Sequence, residues 1–147
     1  MTFWLRIAVR DDDLDALGHV NQAVYHRYGE QARFGLFRAA GCDFRDLVEQ
    51  GVGVVLLEST MRYLAELRGG DELDVSCECG FGAGKTFAMR HDMRRIDGTL
   101  SGQMHCTMGL LDLEARRLLP EPRQRLLAVA ADPALLDGAP AERGINR

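Results

Sequence analysis

Lysine is almost absent from this chain: of its 18 basic side chains, 17 are arginine and one, Lys85, is lysine. Set against 22 acidic residues they leave a formal charge of −4. No global basic field exists to draw in nucleic acid or an anionic membrane, so an anionic ligand has to be met by a local cluster. Long apolar runs are missing too. None approaches the ~18 residues of a membrane span, and MTFWLRIAVRDDD reaches charge too early to hold a signal-peptide core. A cytoplasmic protein without membrane insertion is expected. Cys42, Cys77, Cys79 and Cys106 contain no C-x-x-C spacing, and His19, His26, His91 and His105 form no H-E-x-x-H pattern. The familiar zinc arrangements are thereby excluded, no metal is expected, and the cysteines read as small core or surface residues.

What is present fits one domain with a sizeable core in 147 residues. Phe3 to Val9 reads as a first strand and DDDLDALG as an acidic loop. From Asn21, an N-cap residue, Val24, Tyr28, Ala32, Leu36 and Ala39 recur at helical spacing until Gly41. The helix is about 20 residues, or roughly 30 Å, long. A short helical piece, DFRDLVEQ, follows. Four strands are then predicted, roughly 53–65, 71–80, 85–96 and 101–113, with turn material at Arg68-Gly69-Gly70-Asp71, Gly82-Ala83-Gly84 and Asp97-Gly98. Their short connections imply an antiparallel meander. PRQRLLAVAA reads as a short C-terminal helix opened by Pro122. The expected organisation is an α+β domain over residues 1–131, five antiparallel strands around one long central helix, with a loosely ordered tail at 132–147.

One stretch, Gly80 to Phe87 (GFGAGKTF), imitates a phosphate-binding loop. Counting back from Gly84-Lys85-Thr86, the first glycine of G-x-x-x-x-G-K-[ST] falls on Cys79, and glycine comes one residue late. After it, Phe87, Met89, His91 and Met93 alternate with Thr86, Arg90, Asp92 and Arg94. That is a strand period, whereas a phosphate-binding loop opens a helix. The glycines therefore serve chain reversal.

The chemistry sits in Asp13-Leu14-Asp15-Ala16-Leu17-Gly18-His19-Val20-Asn21-Gln22-Ala23-Val24-Tyr25. Two carboxylates lie on a loop ahead of a long helix whose first backbone N–H groups have no partner within it. Those donors and the helix dipole stabilise negative charge, so a carbonyl oxygen placed there is favoured as it becomes an oxyanion. A nearby carboxylate attacks the carbonyl or activates water against it, which suits acyl transfer to water without a serine or cysteine nucleophile. Acidic loops before helices also serve simply as caps and solvated surface.

DLDALGHVNQAVYHRYGEQAR closely resembles the signature of the hotdog-fold acyl-CoA thioesterases of the 4-hydroxybenzoyl-CoA thioesterase and Tol-Pal-associated group, Asp-x-Asp-x-x-Gly-His/Val-Val-Asn-x-x-x-Tyr. STMRYLAELRGGDELDV and GKTFAMRHDMRRIDGTLSGQMHCTMGLLDLEARRLLPEP resemble later strands of that group, and the likeness covers roughly residues 5–122. It implies the hotdog fold and hydrolysis of acyl-CoA, with no cofactor beyond the coenzyme A of the substrate. Asp15 becomes the nucleophile or general base, and Asp13 a loop-organising residue. The backbone N–H near Gln22 becomes the oxyanion donor, at a position where some Tol-Pal-associated relatives have histidine. Gly18 allows close approach to the helix. His19, Val20, Asn21, Tyr25 and, from Ser59 to Tyr63, Met61 become candidates for the substrate pocket, with packing or capping as their other readings. Lys85, Arg68 and Arg90 are candidates for the phosphates of coenzyme A. A homodimer or homotetramer with interfacial active sites is implied. A non-hydrolytic acyl-thioester-binding protein and an acyl-carrier-protein thioesterase are the alternative readings.

Overall fold

The structure, a computed structural model, describes residues 2–137. Strand β1 (Phe3–Ala8) leads into the acidic loop, a 3-10 turn at Asp11–Asp13, and helix α1 (Gln22–Ala39). Asn21 caps α1, its side-chain oxygen accepting from the Ala23 N–H, and Gly41 closes it with φ +76°, a conformation open to residues without a Cβ. The buried stripe of α1 runs Val24, Tyr25, Tyr28, Gly29, Ala32, Arg33, Leu36, Phe37 and continues to Ala40 rather than the exposed Ala39. Helix α2 (Phe44–Glu49) follows, then β2 (Val52–Tyr63), β3 (Glu72–Phe81), β4 (Thr86–Arg95) and β5 (Leu100–Asp112). A two-residue strand β6 (Arg117–Leu118) beside β5 was not expected.

The sheet curls around α1, and its long strands run in the order β1-β3-β4-β5-β2. This corrects the expected meander: β3, β4 and β5 are consecutive neighbours, but β2 pairs with β5 at the edge. The connection at 64–71 is eight residues long. It reaches ~26 Å at about 3.3 Å per residue, enough to cross the roughly 14 Å of three strand spacings. That crossing carries the chain past the N-terminal end of α1. On the inner face, Leu73, Val75, Cys77 and Cys79 of β3, Phe87, Met89, His91 and Met93 of β4, and Met104, Cys106, Met108 and Leu110 of β5 are buried.

Helix α3 (Pro122–Val129) starts at proline, as expected, and buries Leu126. The tail is described as far as Asp137: the Asp132 N–H donates to the Ala40 carbonyl, Pro133–Leu135 form a 3-10 turn, and Leu136 is fully buried. Residues 138–147 of the expected tail lie outside the described residues.

Candidate active site

The acidic loop is fixed by Asp13, whose side chain is buried. Its Oδ2 accepts from the Tyr28 hydroxyl at 2.7 Å and from the Arg10 N–H at 2.9 Å, while its carbonyl accepts from the Asn21 N–H at 2.9 Å. Asp13 thereby ties the loop to the helix start. Asp15 is only half-buried. Its Oδ1 accepts from the Leu17 N–H at 2.9 Å, and its Oδ2 lies 3.4 Å from the Asn21 Nδ2 donor and 3.8 Å from His19 Nε2. The Gly18 N–H closes the turn on the Asp15 carbonyl; the expected close approach to the helix is corrected, since a Cβ here would meet nothing within 4 Å, and it is the φ of +78° that calls for glycine.

The crossing segment 64–71 completes this arrangement. The Val20 N–H donates to the Leu67 carbonyl at 2.8 Å, and His19 pairs with Arg68 in an isolated β-bridge. Glu66 Oε2 then stands 3.1 Å from His19 Nδ1, and Glu66 Oε1 accepts from Arg68 Nε at 2.7 Å and Nη2 at 2.6 Å. The hydrogen bond from His19, followed by that from Arg68 and its charge, holds the Glu66 carboxyl below the usual range. His19 therefore lies between two carboxylates, with Glu66 on one ring nitrogen and Asp15 facing the other.

A cleft of about 300 Å³ opens here, lined by His19, Val20, Gln22, Tyr25, Tyr63, Leu64, Ala65 and Glu66. Tyr25 and Tyr63 meet edge to face at 5.1 Å between centroids, and the Tyr63 hydroxyl donates to the Gln22 carbonyl at 3.2 Å. Burial is the main cause raising the Tyr25 hydroxyl pKa. The N–H of Gln22, first residue of α1, has no acceptor among the described residues. It is an available donor at the positive end of a helix dipole.

The structure thus brings Asp15, Gly18, His19, Val20, Asn21, Gln22 and Tyr25 together. Met61 lies deeper, two residues along β2 from Tyr63 and packed against the core. The three candidate CoA cations separate. Arg68 is exposed beside the cleft. Lys85 stands in the β3–β4 turn, at the far end of the ten-residue β3 from Asp71, about 30 Å away at the usual rise. Arg90 is 8 % exposed on the outer side of β4 and is not a surface cation. Glu66, the residue that the sequence reading left without a role, enters because the crossing delivers it to His19. A larger groove of about 810 Å³ shares Glu66 with the cleft and adds Arg68, but its Asp71, Glu72, Arg95 and Asp97 bring more acid than base. Among the described residues no cluster of three His, Cys, Asp or Glu is placed to hold a metal, and no helix is long and apolar enough to cross a membrane.

Residues 9–136 match the family described as the Thioesterase-like superfamily. Over 71 residues the chain is 34% identical to an acyl-acyl carrier protein thioesterase, chloroplastic, of Arabidopsis thaliana, a match spanning 48% of this chain and 37% of that protein. Its fold is similar to that of a putative thioesterase from Pseudomonas aeruginosa (TM-score 0.73, 28% identity, 86% of this chain and 97% of the other). It is also similar to that of a Staphylococcus aureus protein solved in complex with CoA (TM-score 0.78, 20% identity, 87% and 82%). The chain belongs to the thioesterase-like superfamily and has its hotdog fold.

Proposed function

We propose that the protein hydrolyses acyl thioesters, acyl-CoA foremost, to the free acid and the thiol. The observation that carries this reading is the cleft in which the unpartnered Gln22 N–H, the Tyr25 and Tyr63 rings and His19 meet, with Asp15 directly behind His19. The thioester carbonyl oxygen lies against the Gln22 N–H, where charge that develops on it is stabilised by a fixed dipole. Asp15 Oδ2, the oxygen not held by the Leu17 N–H, takes a proton from water as the water oxygen attacks the carbonyl carbon. The C–S bond then breaks and the thiolate leaves, taking up a proton. In the nucleophilic version Asp15 Oδ2 forms the C–O bond itself, and water cleaves the resulting anhydride. One turnover in ¹⁸O-water identifies the nucleophilic path where water adds at the Asp15 carbonyl carbon of the anhydride, since the label is then left in Asp15; addition at the acyl carbon labels the product acid, as the general-base path does. Glu66, locked by Arg68, orients His19 so that its other ring nitrogen faces Asp15.

Thiol release from a panel of aliphatic and aromatic acyl-CoAs tests the reading, with Asp15→Asn beside the wild type. The variant is expected to lose at least about 10²-fold in kcat, the usual scale for a positioned acid–base group. A wild type that releases no thiol above background, or an equally fast Asp15→Asn, overturns hydrolysis through Asp15; acyl-CoA binding without release instead supports a sequestering protein. The Arabidopsis relative favours a second reading, an acyl group presented on a carrier protein. The same acyl group on CoA and on carrier protein discriminates between them.

The assembly proposed is a homodimer formed through β2, with a homotetramer as its further association. Among the described residues β2 is paired on one side only, and it exposes Leu56 and Leu57 at its bulge. Such an edge is stabilised by pairing with a second copy. That contact places the second copy beside Met61 and Tyr63, next to the cleft.

A further inference from the structure

Arg33 is a cation in the wrong place for a solvated charge. It lies in the buried stripe of α1, is 6 % exposed, and has no carboxylate within ion-pair distance among the described residues. Its Nη1 donates to His91 Nε2 at 3.2 Å and points at the sulfur atoms of Cys106 at 3.4 Å and Met104 at 3.9 Å. Its Nε–H and Nη2 donors have no protein acceptor among the described residues, and neither is sealed from solvent, so a ligand can reach them. A buried guanidinium is retained where something anionic, or strongly hydrogen-bond-accepting, comes to meet it.

The surroundings are built to keep the charge on arginine. Arginine only donates, so His91 Nε2 must accept, and the ring proton sits on Nδ1, which donates to the Ser76 carbonyl at 2.8 Å. Burial, then the neighbouring guanidinium, lowers His91 to about 3. The β3–β4 ladder is interrupted at this point: pairing runs Val75↔Met93 and resumes at Glu78↔Arg90. In the gap the Ser76 carbonyl serves the imidazole, and the Ser76 hydroxyl accepts from the Asp92 N–H at 2.7 Å. The sheet gives up regular pairing and supplies a neutral acceptor, rather than an acid, to the arginine.

A line of packed side chains, not an open channel, lies between this group and the cleft, whose own lining stops at Tyr25 and Tyr63. Tyr25, Gly29 and Arg33 follow one another at i, i+4, i+8 on α1, about 12 Å from first to last. Tyr63 and Met61 share a face of β2, and Met61 pairs with Met104 of β5. Met104 closes the line over Gly29, where a Cβ would come within 2.7 Å of its sulfur and 3.4 Å of Arg33 Nη1. Between cleft and guanidinium stand two thioethers, side chains that repack readily around an inserted group.

We propose that Arg33 is the specificity-determining residue for the distal end of the acyl group, and that the preferred substrates are thioesters of medium length ending in a carboxylate. This rests on the thioester-hydrolysis reading above. The acyl chain displaces Met61 and Met104, and its terminal carboxylate accepts from the free Nε–H and Nη2 donors. A methyl-ended chain of equal length leaves the cation with the neutral His91 Nε2 as its acceptor and offers nothing to its Nε–H and Nη2 donors, which is the condition for discrimination.

The test is kcat/KM for octanoyl-CoA against its ω-carboxy counterpart, suberoyl-CoA, with wild type, Arg33→Met and Arg33→Lys. Wild type is expected to favour the carboxylate by at least about tenfold, Arg33→Met to reverse the order, and Arg33→Lys to keep part of the preference. Equal rates in wild type, or a preference that survives Arg33→Met, overturn the proposal. So does dissociation of an oligomer by Arg33→Lys without change in preference, which assigns Arg33 to a subunit contact. A second arm needs neither hydrolysis nor a folded methionine variant: thermal stabilisation by free suberate against free octanoate. A rise in Tm with suberate alone, lost in Arg33→Lys, supports the site even if no thioester is cleaved; no selective rise overturns it.

Discussion

Replacing Tyr28 with phenylalanine removes one oxygen atom and leaves the ring. That oxygen is the 2.7 Å donor to Asp13 Oδ2, and both residues are buried, at 2 % and 3 % exposure. Burial, with the Asp13 carboxylate adding to it, raises the tyrosine pKa far above any working pH, so the hydroxyl remains a donor throughout. After the change, Asp13 keeps the Arg10 N–H and the side chain of Arg27, whose Nη1 is 3.8 Å from Oδ1. A hydrogen bond to a charged group contributes ~1.5–3 kcal/mol net. With these two partners remaining we expect a loss of about 2 kcal/mol. For a chain of this size that corresponds to a fall in Tm of roughly 4–8 °C. Urea unfolding at pH 7.5 should show a lower midpoint with unchanged slope. In an Asp13→Ala background the same change should cost close to nothing, because the acceptor is already gone. Asp13 also holds the Asn21 N–H through its carbonyl, so the variant should lower kcat more than it alters KM. A stability loss below about 0.5 kcal/mol, or an equal loss in the Asp13→Ala background, would refute the claim that this bond clamps the acidic loop to the helix.

Local signals carried the elements and the mouth of the site. The Asn21 cap, the four-residue spacing of Val24, Tyr28, Ala32 and Leu36, and Gly41 bounded α1 because helix ends depend on nearest neighbours in the chain. Alternation found the long strands, and the fold class followed. It did not find the partner of β2. A strand's period reveals which residues share a face, not which edge meets which, and the pairing of β2 with β5 depends on where residues 64–71 cross. The same crossing explains why Glu66 was not legible: nothing in Ala65-Glu66-Leu67-Arg68 tells a solvated acid from one that hydrogen-bonds a histidine 47 positions earlier. Arg33 and His91 were hidden for a related reason. Each occupies an apolar stripe where pattern alone predicts packing, and their meeting is a contact between helix and sheet 58 positions apart. Arg90 reads as a surface cation because charge is normally solvated, yet its neighbours on β3 and β5, Glu78 and His105, lie across a sheet face that leaves it 8 % exposed.

The separation of the candidate CoA cations gives one prediction. Arg68→Ala should raise KM for acyl-CoA several-fold, since it removes both a cleft-side cation and the clamp on Glu66, whereas Lys85→Ala, at the far end of β3, should leave KM unchanged. A raised KM in Lys85→Ala alone would move the nucleotide to the β3–β4 turn, reached from a second copy. The buried imidazole gives another, in stability against pH. His91 is held near about 3 in the folded chain, against an ordinary ~6.5 when unfolded. Between those values the unfolded chain binds the additional proton, so stability is complete above about pH 6.5 and is lost as pH falls. The slope approaches ~1.4 kcal/mol per pH unit, or about 2 kcal/mol between pH 6.5 and 5. The carboxyls of Glu66, Asp74 and Asp97 are all held below their ordinary values, so their own losses begin at lower pH and leave this window to histidine. His91→Gln provides a neutral acceptor for Arg33 and a donor for the Ser76 carbonyl without a titrating ring. Denaturant unfolding at pH 7.5, 6.5, 5.75 and 5 should therefore show a steep acid limb in wild type and a shallow one in His91→Gln, the residue of slope belonging to His105, which burial also lowers. An acid limb of equal steepness in both proteins would mean that His91 takes up its proton within the fold, and that the imidazole is not the neutral acceptor for Arg33.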